Sequence, residues 1–248
     1  MGKAKLIQIA PVKAKIAFDF VLKNHYSGKV VNNSVLHFGV FYNNLLAGVL
    51  QFGPPLDKSK VIGLVKNQNG DPAPWNDFFE LNRMVFLDLL PRNSESRAIA
   101  ICVNLIKKKY PNIKWIISFA DATQCGHGTI YQAAGFKLTQ IKESNNIARI
   151  NGVIIHKMAL ANNPTKPIPF LPGKPSFYDI TGGKYAFSEF VKKTGGEMLV
   201  GYQIRYILIL DKQYRLACPD LPYSEIHRVG ARMYKGESLD LPEHAGEA

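Results

Sequence analysis

Cysteine is scarce: Cys102, Cys125 and Cys218 are the only three in 248 residues. An odd, widely spaced set argues against a disulfide framework and for a reducing compartment. Cys125-Gly126-His127 has no partner Cys or His at ligand spacing, so it does not read as a zinc site. Long apolar runs are missing too. None approaches a membrane span, and the opening MGKAKLIQIAPVKAK holds none long enough for a signal peptide. The expectation is a cytoplasmic protein with no membrane partner. The P-loop, the dinucleotide-binding glycine fingerprint and the Gly-x-Ser-x-Gly elbow are absent, which removes the chemistries those motifs mark. There is no internal repeat and no coiled-coil heptad.

Negative charge is also in short supply. The chain has 31 Lys+Arg against 19 Asp+Glu, a net charge of +12. Four acidic residues (Glu237, Asp240, Glu243, Glu247) and no Lys or Arg follow Lys235, so residues 1–235 carry +16. A basic body of this kind suits a polyanion such as DNA, held through counterion release; a solvated lysine-rich face is the other reading of the same charge. The 46% hydrophobic content suffices for one large domain or a domain with an appendage.

The richest stretch is Trp115 to Phe136. Trp115-Ile116-Ile117-Ser118-Phe119 reads as a short buried strand that delivers Asp121 to a loop edge. Thr129 to Ala134 can make two helical turns, with Gly135 where a helix C-terminus favours a left-handed residue. Upstream, residues 5–11 read as a first strand, and residues 12–23 as a helix with Ile16, Phe20 and the Lys23 stem on one stripe. Residues 36–42 and 46–52 flank Asn43-Asn44 as a hairpin. Residues 56–77 read as loop. Residues 78–87 return to strand, with Glu80 and Asn82 on one face and Arg83 on the other.

Ile99, Cys102, Val103 and Ile106 form the i, i+3, i+4, i+7 stripe of a helix whose Lys107, Lys108 and Lys109 suit its C-terminal end. Asn151-Gly152 between apolar runs marks a second hairpin. Residues 161–183, rich in Pro and Gly, read as a wrapping arm. A short helix follows near 185–193, then a strong strand over 201–210.

Several residues are candidates for chemistry. Arg92 and Arg97 flank the start of the helix, where cations are disfavoured by about 0.3–1 kcal/mol. With backbone N–H groups around Asn93, Ser94 and Ser96 they would cradle a phosphate or pyrophosphate. The plainer alternative is an N-cap with the arginines paired to Glu95 or Asp88. His25 and Tyr26, at the mouth of a turn, can serve as acid and base, as metal ligands, or as packing. Asp121, after a buried strand, must reach a pocket or be paired, and Tyr131 can face the same pocket. Glu80, Asn82 and Arg83 either line a ligand groove or are satisfied within the sheet.

The element order, the Arg-rich turn and Tyr131-Gln132-Ala133-Ala134-Gly135-Phe136 together resemble the GNAT acyltransferase fold. Where that family usually has glycines, this chain has Arg92-Asn93-Ser94-Glu95-Ser96-Arg97. More closely, the chain resembles the phage Mom family of DNA-modifying proteins, a divergent branch of that fold. The resemblance covers most of residues 20–240. It is carried by His25-Tyr26-Ser27-Gly28, Glu80-Leu81-Asn82-Arg83-Met84, the Arg92–Arg97 turn, Ser118-Phe119-Ala120-Asp121, Gly128-Thr129-Ile130-Tyr131-Gln132, Arg205-Tyr206-Ile207 and Met233-Tyr234-Lys235-Gly236.

That resemblance implies an α/β (α+β) fold with a mixed, mainly antiparallel central sheet flanked by helices. Residues 1–160 would be the GNAT-like domain. Residues 161–248 would be an extension that returns a strand near 202–210 and ends in a flexible acidic tail from about 236. It also implies conversion of adenine in DNA to N6-carbamoylmethyladenine, protecting phage DNA from host restriction. The functional residues would be His25, Tyr26, Asp121 and Tyr131. The donor would be acetyl-CoA or another small molecule held at Arg92, Asn93, Ser94, Ser96 and Arg97. Iron is implied as well, with His25 and Asp121 as candidate ligands. The rival expectations are an ordinary GNAT N-acetyltransferase acting on a protein or small-molecule amine, and a non-catalytic nucleic-acid-binding protein.

Overall fold

The computed structural model describes residues 2–234 and 237–239. Lys235, Gly236 and the tail residues Asp240, Glu243 and Glu247 lie outside the described residues, as does the Cys125 side chain.

A 3-10 turn at Lys3–Leu6 leads into strand β1 (Gln8–Pro11), where Pro11 removes a backbone donor. Helix α1 (Ala14–Asn24) buries Ala17 and Val21 against Val49 and Val85. The expected stripe is met in part: Phe20 packs against this core, whereas Ile16 is 46% exposed and Ala17 and Val21 take the buried face. Strands β2 (Leu36–Tyr42) and β3 (Leu45–Gly53) form the expected hairpin. Asn43 and Asn44 both take the positive φ that a type I′ turn requires, 50° and 62°.

The expected loop over 56–77 contains β4 (Val65–Lys66). Next come β5 (Phe78–Phe86), α2 (Ser94–Lys109) and β6 (Trp115–Asp121). The helix buries Ile99, Cys102, Val103 and Ile106, the stripe read from the sequence. Short helices α3 (Ala122–Cys125) and α4 (Thr129–Ala133) follow. Strands β7 (Lys137–Ile150) and β8 (Val153–His156) pair antiparallel across Asn151-Gly152.

Helix α5 (Lys157–Asn162) begins at His156. The Pro- and Gly-rich segment is not only an arm, since it holds α6 (Phe177–Thr181), begun by a capping box. Ser176 Oγ accepts the Asp179 N–H at 3.2 Å, and the Asp179 carboxylate accepts the Ser176 N–H at 2.8 Å. After α7 (Phe187–Lys193) come β9 (Glu197–Ile209), β10 (Arg215–Leu216), α8 (Glu225–Arg228), β11 (Met233–Tyr234) and β12 (Glu237–Ser238).

The central sheet has eight strands in the order β1-β2-β3-β5-β6-β9-β7-β8. The late strand β9 lies between β6 and β7 in that order. The β1/β2, β2/β3, β3/β5 and β7/β8 pairs are antiparallel and β5/β6 is parallel, which makes this a mixed, mainly antiparallel α+β sheet. The parallel β5/β6 pair needs a crossover, and α2 supplies it. Among the described residues no helix is long and apolar enough to cross a membrane.

Two compact units divide the chain. The first comprises Met1–Ala120, Gly128–Gln140 and Ile204–Glu225. One of its cores is built on Trp115, which stacks on Phe78 with ring centroids 4.0 Å apart, together with Val61, Val65, Ile117 and Ile207. Burying each such aromatic is worth a few kcal/mol, about 25 cal/mol for each Å² removed from water. The second unit comprises Asp121–His127, Ile141–Gln203 and Ile226–Ala248. Its core gathers Phe177, Phe187, Phe190 and Val191 with Ala148 and Ile150.

Candidate functional site

In the first unit, β5 and β6 begin side by side and then part. Their parallel pairing covers only Phe78–Glu80 against Trp115–Ile117, although β5 runs on to Phe86. Where the ladder stops, the Ser118 hydroxyl donates to the Leu81 carbonyl at 3.0 Å. The cause lies on the other edge of β5. Gln51 pairs with Arg83 but Phe52 pairs with Leu81, so Asn82 is an extra residue, a β-bulge that bends the strand.

The bulge corrects the expected alternation. One inserted residue reverses parity, so Glu80 and Arg83 come to one side and Asn82 does not share a face with Glu80 in the regular sense. Arg83 acts electrostatically on Glu80 and on Tyr26. Burial pushes the Glu80 carboxyl up to about 7, against the opposing pull of Arg83. Arg83 itself is anchored by the backbone. Its Nε donates to the Lys29 carbonyl at 3.1 Å and its Nη1 to the Asn82 carbonyl at 2.8 Å. Asn82 is 7% exposed, with Oδ1 2.9 Å from the Ser34 hydroxyl.

His25 and Tyr26 follow α1 directly. The His25 N–H closes the helix on the Val21 carbonyl at 2.9 Å. The imidazole Nδ1 accepts the Ser27 N–H at 3.1 Å and lies 2.7 Å from the Ser27 hydroxyl, a pattern that places the ring proton on Nε2. The two rings stack with centroids 4.4 Å apart, and Tyr26 is 52% exposed. Tyr26, Arg83 and Glu80, quoted separately from the sequence, thus belong to one electrostatic group.

Residues 92–97 open α2. Asn93 sits at the N-cap in the left-handed region, φ 69°, and its side chain makes no capping bond. Arg92 and Arg97 are exposed, and among the described residues neither is in an ion pair, so the pairing with Glu95 or Asp88 is not made. Ser94 is fully buried, and its Oγ has no hydrogen-bond partner among the described residues. The Ser94 N–H is committed to the Pro91 carbonyl at 3.1 Å, so what this helix start offers an anion is the orphan hydroxyl, the N–H groups further along the first turn and two guanidinium groups outside any ion pair among the described residues.

Tyr131 is 6% exposed and stacks on Tyr206, with centroids 5.2 Å apart. Tyr206 is fully buried, its phenol pushed up to about 12 by that burial, and its hydroxyl accepts from Gln132 Nε2 at 3.2 Å. Gly128 makes this stack possible, because a Cβ there would meet Tyr206 Cε2 at 2.5 Å.

Asp121 falls in the second unit, at the end of β6. Its partner there is His156, which was not singled out in the sequence. His156 Nε2 lies 3.4 Å from Asp121 Oδ2, with the two side chains 10% and 23% exposed. The Asn-Gly hairpin that ends β8 at His156 was the available signal, since it brings that residue back to the sheet beside β7.

Among the described residues no three His, Cys, Asp or Glu side chains are grouped so as to hold a metal ion. The described residues do not fit the implied iron, and no step is assigned to it.

These features define a mixed α+β protein whose parallel β5/β6 pair parts after three residues. Residues 6–225 match the Mom protein family, and the chain belongs to that family. It is 35% identical over 158 residues to the methylcarbamoylase Mom of Escherichia phage Mu, an alignment spanning 63% of this chain and 63% of that protein. Among solved structures it is similar to a Bacillus subtilis acetyltransferase in complex with CoA, at 11% identity and a TM-score of 0.43, covering 83% of this chain and 98% of the other. A GNAT family acetyltransferase from Elizabethkingia anophelis with acetyl-CoA bound is similar at 16% identity and a TM-score of 0.41, covering 83% and 99%.

Proposed function

We propose that this protein modifies adenine in DNA at N6, giving N6-carbamoylmethyladenine in phage DNA and so protecting it from restriction. The observation that carries this reading is membership of the Mom family, with 35% identity to the phage Mu methylcarbamoylase.

The chemistry sets requirements that the residues can be matched to. The N6 lone pair is shared with the purine ring, so a base must take a proton as N6 attacks. Asp121, His25 and Glu80 are the candidates. In a duplex N6 is paired, so the adenine has to be flipped out, at a cost of a few kcal/mol. Tyr26, half-exposed, offers a ring for it to stack on, and Tyr131, stacked behind Tyr206, stiffens its own part of the first unit. The net charge of +12 supplies sequence-independent attraction for phosphates. An acyl-CoA-type donor would set its phosphates at Arg92, Ser94, Ser96 and Arg97, with its chain entering where β5 and β6 part.

The test is to express the protein in bacteria, digest their DNA and weigh the nucleosides. An added carbamoylmethyl mass on adenine supports the reading. Unmodified adenine from cells holding abundant protein removes it.

A further inference from the structure

The β5 bulge at Asn82 brings Arg83 to the same side of the strand as Glu80. Glu80 is the last residue of the β5/β6 ladder, paired with Ile117 on one side and Gly53 on the other. Neither neighbour is titratable, and the charged groups acting on it reduce to Arg83, on its own strand. Arg83 in turn feels Tyr26 from the turn after α1. Two of the Arg83 nitrogens are committed to the carbonyls of Lys29 and Asn82, which holds the guanidinium in place rather than leaving it to fold onto the carboxyl. No hydrogen bond or ion pair to the Glu80 carboxyl exists among the described residues. Asn82 beside it also keeps a spare donor: its Nδ2 is buried and has no partner among the described residues.

A half-buried carboxyl next to a fixed cation, itself within electrostatic reach of the exposed Tyr26 ring, at the point where the β5/β6 ladder ends, is arranged for a ligand rather than for the fold. Resting on the reading of the protein as a DNA adenine modifier, we propose that Glu80 is a catalytic residue that takes the N6 proton of the flipped adenine. In that step one N6–H bond breaks, an O–H bond forms on the Glu80 carboxylate, and the electron pair stays on N6 as the nucleophile. Arg83 keeps a useful fraction of the carboxyl ionised near neutral pH. Tyr26 bounds the place where the base lies. Burial holds the carboxyl at about 7, close to the pH at which such a base is most effective. The proton leaves to water once product has gone.

The experiment compares wild type, Glu80→Gln and Glu80→Asp in the same bacterial host. It reads the fraction of modified adenine by nucleoside mass, and the melting temperature and DNA affinity of each purified protein. The glutamine keeps the shape and cannot accept the proton, so modification should fall about 100-fold or more with DNA affinity within twofold of wild type. The aspartate keeps the acid but draws it back by one methylene, so modification should fall at least about tenfold with folding intact. Modification within twofold of wild type in Glu80→Gln overturns the assignment. Should that variant fail to fold, wild-type-level modification by Glu80→Asp overturns it instead. Absence of the modified nucleoside in the wild type removes the functional reading itself, and this assignment with it.

Discussion

His156 Nε2 faces Asp121 Oδ2 at 3.4 Å while Nδ1 of the same ring accepts the Met158 N–H at 3.1 Å. The second bond decides the first. An Nδ1 that accepts cannot carry the proton, so the proton of a neutral ring sits on Nε2, which lies 3.4 Å from the carboxylate without making a hydrogen bond. The helix start at Lys157 thereby orients the ring that faces Asp121. His156→Ala removes this contact and should reduce adenine modification about tenfold or more and lower stability by up to about 1 kcal/mol. His156→Gln, which can still offer a donor, should recover part of both. Nucleoside mass and thermal melting of the two variants check this, and equal behaviour of both with wild type would dismiss His156 as a positioning residue.

Glu80 predicts a pH-dependent stability with a definite sign. Its ordinary value is 4.5 and burial raises it to about 7 in the folded chain. The unfolded chain therefore gives up this proton first. Stability from this group is fully present below about pH 4.5, declines as pH rises towards 7, and stays at the lower level above it. The decline is on the order of 2–3 kcal/mol. Glu80→Gln should melt at the wild-type temperature near pH 4.5 and several degrees higher at pH 8. A gain of stability paired with loss of modification is the pattern of a residue kept for chemistry. Melting curves that shift equally at both pH values would contradict the sign.

Much of the frame was legible because it is written in local rules. The Asn43-Asn44 and Asn151-Gly152 turns and the Ile99, Cys102, Val103, Ile106 stripe each follow from backbone chirality or helical period. What the sequence hid is what tertiary packing decides. The bulge at Asn82 is one inserted residue with no compositional mark, yet it regroups Glu80, Arg83 and Tyr26. On α1, Phe20 packs as its spacing suggests, but Ala17 and Val21 rather than Ile16 complete the buried face. His156 lies far from Asp121 along the chain and meets it only through the β7/β8 hairpin. Helix α6 was signalled by Ser176 and Asp179, three apart, but the surrounding prolines masked it.

Gly128 should tolerate no side chain. Its φ is +86°, and an added Cβ would meet Tyr206 Cε2 at 2.5 Å and Tyr131 Cδ2 at 3.0 Å. Both rings are buried and stacked, so neither can swing away cheaply. Gly128→Ala should cost about 2–4 kcal/mol, combining backbone strain with overpacking. Urea unfolding measures it, and a change below half a kcal/mol would mean the Tyr131–Tyr206 stack is looser than drawn.

Ser94 gives a prediction in which stability and binding move in opposite directions. Its Oγ is buried without a partner among the described residues, and its position is the first of a long helix. An unbonded buried hydroxyl costs free energy, and alanine is the better helix former, so Ser94→Ala should stabilise the ligand-free protein by about 0.5–1 kcal/mol. If that hydroxyl is held for the phosphates of a donor, the same substitution should weaken coenzyme A, used as the probe, by about threefold to tenfold. Arg92→Gln with Arg97→Gln should weaken it further, by about tenfold to 100-fold, with little change in Tm, because both side chains are exposed and unpaired. Calorimetric titration with coenzyme A and melting of each variant separate the two effects. Undiminished binding in the double-arginine variant would move the donor away from α2, and a destabilised Ser94→Ala would show that the hydroxyl serves the fold.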